Sequence, residues 1–147
     1  MFKLCDWIDI NKIDWVSLSG NPNAIELLKE NKDKIYWHVL SSNGNAIDIL
    51  KENQNKINWY ALSINPNAIN ILNNNKQKID WSILSRNAGA IKLIEKNKSI
   101  NKISWCWLSE NPNAIKILKE NQNKINWEHL CLNPNAIELL KKKSKKN

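Results

Sequence analysis

Apolar residues recur along this chain in a pattern that resets every 22 positions. Trp15 and Leu18 stand three apart, the spacing of neighbours on one helical face. Ala24, Ile25, Leu27 and Leu28 then form a broad apolar stripe, the mark of a short helix facing a core. Asn21-Pro22-Asn23 separates the two segments, and polar residues run from Lys29 to Lys34 before the next Ile. The pattern returns at Trp37, Trp59, Trp81, Trp105 and Trp127, in steps of 22, 22, 22, 24 and 22 residues. The template is K-I-[DN]-W-x-x-L-S-x-N-P-N-A-I-x-[LI]-L-x-x-N, and its six copies begin at Lys12, Lys34, Lys56, Lys78, Lys102 and Lys124. The fourth copy carries two extra residues in "KNKSINK", just after Asn97, which reads as a loop.

Each copy predicts two helices. Helix A follows Asp14, Asn58, Asp80, Ser104 or Asn126, residues whose side chains accept from otherwise unpaired backbone N–H groups; Tyr36 is the exception. It spans one to two turns, α or 3₁₀. Helix B, of about nine residues, opens at Asn21, Asn43, Asn65, Asn87, Asn111 or Asn133. Pro22, Pro66, Pro112 and Pro134 follow, and Pro suits the first helical position because it has no N–H to leave unpaired. Gly44 and Ala88 stand there in the other copies, which predicts looser starts. Asn31, Asn53, Asn75, Asn97 and Asn121 are placed to end the helix in a left-handed conformation. Neither helix is stable alone, so neighbouring copies must stack. The fold expected is an all-α solenoid of six repeats over residues 12–140, with residues 1–11 as an N-terminal cap and 141–147 as a basic tail. Six buried Trp side chains, each removing roughly 150–250 Å² from water, are its expected spine.

The repeats resemble the short tandem "NPNAI" and "KI[DN]W" repeats found in proteins of large DNA viruses, over nearly the whole chain. The segment "LSxNPNAIxLL" also resembles the leucine-rich repeat variant pattern, which implies alternating 3₁₀ and α helices in a right-handed superhelix. The shorter period and the Trp depart from that pattern and leave handedness open. The resemblance brings no enzymatic activity, ligand or functional residue with it. A viral origin implies an intracellular protein of the host cytoplasm, or of the nucleus if the Lys-rich tail acts as an address.

Composition changes this picture little. The chain has 147 residues and a net charge of +8, but Lys141, Lys142, Lys143, Lys145 and Lys146 supply five of those charges. The remainder, 8 − 5 = +3, is mildly basic. The 26 asparagines and the many Lys and Ile residues also fit an A/T-rich gene, which weakens an argument from charge to nucleic acid. The opening "MFKLCDWIDI" lacks the apolar stretch of a signal peptide, and no apolar run is long enough to span a membrane. Cys5, Cys106 and Cys131 are odd in number and lack a CxxC spacing, so they read as reduced thiols.

Candidate chemistry is sparse. His38 and His129 lie four repeats apart, too far to form a local metal pair. Cys131 replaces the usual Ser as a small, partly buried side chain, and Cys106 is placed to be exposed. Glu26, Asp48 and Glu138 recur on the outer side of helix B as a solvated face. No catalytic, cofactor-binding or metal-binding residue is expected, and the protein reads as a non-enzyme. The positions that change between copies are the better lead. Val16, His38, Tyr60, Ser82, Cys106 and Glu128 follow the Trp; Gly20, Ser42, Ile64, Arg86, Glu110 and Leu132 follow the Ser-type position. Trp107 is the one large aromatic in its column, placed either to protrude or to fill space beside the insertion. The candidate interaction surface is therefore His38, Tyr60, Ile64, Arg86, Trp107, Glu110, Glu128 and Leu132.

Three functional readings follow. A protein–protein interaction scaffold, taken as a monomer, is favoured. A nucleic-acid-binding helical repeat using the tail is the alternative, against which no regular Arg, Asn or Gln code is visible. Repeat expansion without a strong role is the third. For the tail, a solubilising end competes with an anionic-partner patch or nuclear-localisation signal.

Overall fold

A computed structural model describes residues 5–97 and 101–141, apart from the side chain of Glu138. The two-residue insertion falls largely on residues 98–100, and the tail beyond Lys141 likewise lies outside the described residues. The described chain is helical without a strand, in the regular order of an all-α repeat solenoid. It divides into two compact units, Met1–Lys78 and Ile79–Asn147.

In the first unit the A helices are Trp15–Gly20, Trp37–Ser42 and Trp59–Ile64, and the B helices are Ile25–Glu30, Ile47–Glu52 and Ile69–Asn74. In the second, A helices Trp81–Leu84, Trp105–Glu110 and Trp127–Leu130 alternate with B helices Ile91–Lys96, Ile115–Glu120 and Ile137–Leu140. Five A helices are capped as the sequence predicts. Asp14, Asn58, Asp80, Ser104 and Asn126 each accept from a backbone N–H in the first turn, whereas Tyr36 makes no such bond.

The B helices differ from expectation at both ends. Asn21 and its counterparts cap a preceding turn, and the α-helix begins four residues later, at Ile25 in the first copy. Each helix proper is therefore six residues or shorter. Gly44–Ala46 and Ala88–Ala90 close this turn as 3₁₀ segments. The closing asparagines are not left-handed: φ runs from −120° to −133°, and no described residue has positive φ. Their side chains end the helix instead. The Nδ2 groups of Asn31, Asn53, Asn75, Asn97 and Asn121 donate to the carbonyl four residues back at 2.7–2.9 Å, satisfying an acceptor the ended helix would leave open. Polar segments after four of these asparagines form 3₁₀ turns, Lys32–Lys34, Gln54–Lys56, Lys76–Lys78 and Gln122–Lys124.

The spine is leucine, not tryptophan. Leu40, Leu62, Leu84, Leu108 and Leu130 on the A helices are fully buried, as are Leu28, Leu50, Leu72 and Leu118 on the B helices. Among the repeat tryptophans only Trp81 is buried; Trp15, Trp37, Trp59 and Trp105 are half-buried, and Trp127 is 59% exposed. The Trp stands at the first helical position, at the margin of the apolar stripe, whereas Leu three residues on points to its centre. Ala46, Ala68, Ala90 and Ala114 are fully buried as well. Leu62→Ala is expected to cost about 2–5 kcal/mol, and Trp127→Ala less than about 1 kcal/mol, in urea unfolding. The reverse order would return the spine to the tryptophans.

Candidate functional site

Neighbouring repeats are joined by one set of hydrogen bonds that fixes which side chains meet at the surface. Ser41 is buried on the A helix; its Oγ donates to the Trp37 carbonyl at 2.7 Å and accepts from the Asn58 N–H of the next repeat at 3.0 Å. Ser19, Ser85 and Ser109 do the same with Tyr36, Ser104 and Asn126. The first Asn of "NPNAI" reaches back to the preceding copy. Asn43 Nδ2 donates to the carbonyls of Ser19 and Asn21, both at 3.1 Å, while its Oδ1 accepts from Asn45 N–H. In the second unit Asn133 makes the same bonds to Ser109 and Asn111. The second Asn is a further staple: Asn45, Asn67, Asn113 and Asn135 donate to the carbonyls of Pro22, Gly44, Ala88 and Pro112.

This register sets the last variable residue of one A helix against the third residue of the next. In the first unit that pairs Gly20 with Val39. A Cβ at Gly20 would come within 3.1 Å of Val39 Cγ1, so a larger residue there would need the valine side chain to shift by a few tenths of an ångström. In the second unit the same register assembles a polar–aromatic chain. The Arg86 guanidinium lies over the Trp107 ring at 4.9 Å, Trp107 meets the His129 ring edge-to-face at 5.4 Å, and His129 Nδ1 stands 3.5 Å from Glu110 Oε2. His129 Nδ1 is enclosed and makes no hydrogen bond, so the approach to Glu110 is one of charge and dipole rather than an aligned bond.

The repeated lysines also find partners. Lys56 Nζ lies 4.9 Å from the Trp37 ring centre, Lys78 4.7 Å from Trp59, and Lys124 4.9 Å from Trp105. In each pair the Lys of "KI[DN]W" covers the Trp of the copy before it, a contact worth about 0.5–1 kcal/mol at an exposed site.

Of the eight residues in the candidate surface, Arg86, Trp107 and Glu110 are brought together by His129. His38 and Tyr60 are exposed on separate A helices of the first unit, and Ile64 is exposed at the end of its helix. Glu128 is exposed beside His129, and Leu132 is 66% exposed. The residue missed is His129. Its place in the same column as Trp107 was the available signal, but only the repeat-to-repeat register makes the two neighbours. Trp107 does not protrude: it is half-buried between Arg86 and His129. Cys131 is exposed rather than partly buried, and Cys106 is exposed as expected, with Asn126 Nδ2 3.5 Å from its sulfur. Glu26 and Asp48 form exposed ion pairs with Lys29 and Lys51, consistent with a solvated face; the Glu138 side chain lies outside the description.

A groove of about 470 Å³ runs along the second unit between Pro112, Ile115, Pro134, Asn135 and Ile137, and a space of about 50 Å³ lies beneath Trp105, too small for an organic ligand. Among the described residues no group of three or more His, Cys, Asp or Glu side chains is placed to hold a metal ion, and no helix is long and apolar enough to cross a membrane. No family model, curated protein or solved structure matches this chain.

A double-mutant cycle on Arg86→Ala and Trp107→Leu should give a coupling of about 0.5–2 kcal/mol in chemical unfolding. Additive losses would mean that the stacking contributes no stability.

Proposed function

We propose that the protein is a non-enzymatic protein-binding scaffold whose contact face is the A-helix surface of the second unit. The observation that carries this reading is the chain Arg86–Trp107–His129–Glu110, flanked by exposed Glu128 and Leu132. Trp and Arg dominate interface hot spots because they combine large contact area with directional polar edges. Here the Trp is held on both sides before any partner arrives, which lowers the ordering cost of binding. The equivalent frame positions in the first unit are the uncharged residues Gly20, Ser42 and Ile64, so the chemistry changes while the scaffold stays constant.

The partner that fits offers an apolar group to Leu132 and the Trp107 edge, and a carboxylate to the open edge of Arg86. Nucleic acid fits less well, because Lys56, Lys78 and Lys124 occupy the Trp faces on which bases would stack. The resemblance to repeats of large DNA viruses makes an infected host cell the place to seek the partner.

Affinity capture from such cells should compare the wild-type chain, Arg86→Ala/Trp107→Ala and His38→Ala/Tyr60→Ala. The expected result is a protein retained by the first and third, lost from the second, and insensitive to nuclease. Capture that is nuclease-sensitive, or unchanged by the second variant, contradicts the reading.

A further inference from the structure

The first asparagine of the motif is followed by a different residue in different copies. Asn21, Asn65, Asn111 and Asn133 precede Pro, Asn87 precedes Ala88, and Asn43 precedes Gly44. Of the 26 asparagines in the chain, Asn43 alone stands before a glycine. The difference is chemical. The backbone nitrogen after an asparagine can close a ring on the side-chain amide carbon, provided it has a proton to give up. Proline has none, so Asn-Pro is closed to that route. A Cβ, as at Ala88, crowds the nitrogen, whereas glycine leaves it open.

Backbone geometry does not demand glycine here. Asn43, at φ −74° and ψ 114°, matches Asn21 before Pro22, at φ −77° and ψ 117°, and Gly44 has no positive φ. The same Asn43 side chain holds the junction of the first and second copies. It is 6% exposed; Nδ2 donates to the carbonyls of Ser19 and Asn21 at 3.1 Å, and Oδ1 accepts from Asn45 N–H at 3.1 Å. Those bonds fix the amide carbon. Ring closure needs Cβ and the Gly44 nitrogen eclipsed about the Cα–C bond, and ψ 114° keeps them far apart. Local opening of the junction would release both restraints.

We infer that Asn43–Gly44 is a site of spontaneous modification, gated by the junction that Asn43 itself holds. With the junction open, the Gly44 nitrogen loses its proton to solvent and attacks Asn43 Cγ. The N–Cγ bond forms, the Cγ–Nδ2 bond breaks, and Nδ2 leaves as ammonia with a proton from water. Water then opens the cyclic imide at either carbonyl, giving aspartate or its β-linked isomer. Neither product restores the junction. A carboxylate only accepts hydrogen bonds, and it would face the carbonyls of Ser19 and Asn21. The step is one-way, so modified chains accumulate as a record of opening. Proline in the motif thus has a second consequence: it shields the junction amides at Asn65, Asn111 and Asn133 from this chemistry.

Peptide mapping by mass spectrometry tests this on the full chain, aged in mildly alkaline buffer at physiological temperature, folded and in urea. Gly44→Ala and Gly44→Pro are aged beside it; each copies a residue that another repeat carries there, and circular dichroism checks their folding. In urea, Asn43 should convert faster than any other asparagine. In the folded chain it should convert more slowly, yet faster than Asn65. Gly44→Ala should slow the conversion in urea and Gly44→Pro abolish it. In folded chains already converted, the Tyr36 N–H, which donates to Ser19 Oγ at 3.0 Å across this junction, should exchange faster with solvent deuterium. Equal rates in folded and unfolded chains, conversion of folded Asn43 no faster than that of Asn65, or unchanged exchange at Tyr36 overturns the proposal.

Discussion

A buried asparagine amide between two repeats is the interaction on which this architecture rests. Asn43 lies 6% exposed, with both amide hydrogens directed at carbonyls of the preceding copy and its oxygen at its own turn. All the polar groups of that side chain are engaged. A buried amide left unpaired would cost about 1–3 kcal/mol, so the amide tolerates one position of the neighbouring backbone and penalises a slip. Leucine and isoleucine make up most of the buried apolar side chains, but an apolar layer alone does not specify register. The amide does.

The rest of the motif follows from that constraint. Ser on helix A must turn back to its own helix to leave its oxygen free for the next repeat, and it does so through the Trp carbonyl four residues earlier. The Ala of the motif is part of the frame too, fully buried at Ala46, Ala68, Ala90 and Ala114. Lys and Trp pair across the same junction, so two letters that look like a basic and an aromatic signal belong to the frame. Specific chemistry is confined to what the frame leaves variable, and the register decides which variable residues touch. Arg86 reaches Trp107, and Glu110 reaches His129, because one repeat is held one fixed step from the next.

Periodicity made the helical repeats and most A-helix caps legible in the sequence, since both depend on residues close along the chain. The reach of the asparagines was not legible. "NPNAI" reads locally as a helix start because Asn-Pro suits one, whereas its main bonds run 22–24 residues back to the preceding copy. The closing Asn is ambiguous for a related reason: a left-handed backbone and a side-chain bond to the helix both favour Asn, and composition does not separate them. The size of Trp points to the core, although its place at the first helical position leaves it at the margin. In the candidate site, Arg86, Trp107 and Glu110 stood out as departures from the template, but nothing short of the register shows that His129 links them.

The claim that the amide sets the junction is tested most directly at Asn43, by urea unfolding of Asn43→Asp beside Asn45→Asp. Both substitutions replace a donor by a carboxylate, one in a buried junction and one on an exposed staple. The account predicts a loss of about 3 kcal/mol or more at Asn43 and about 1 kcal/mol or less at Asn45. Equal, small losses at both positions would show that apolar stacking alone holds the repeats in register.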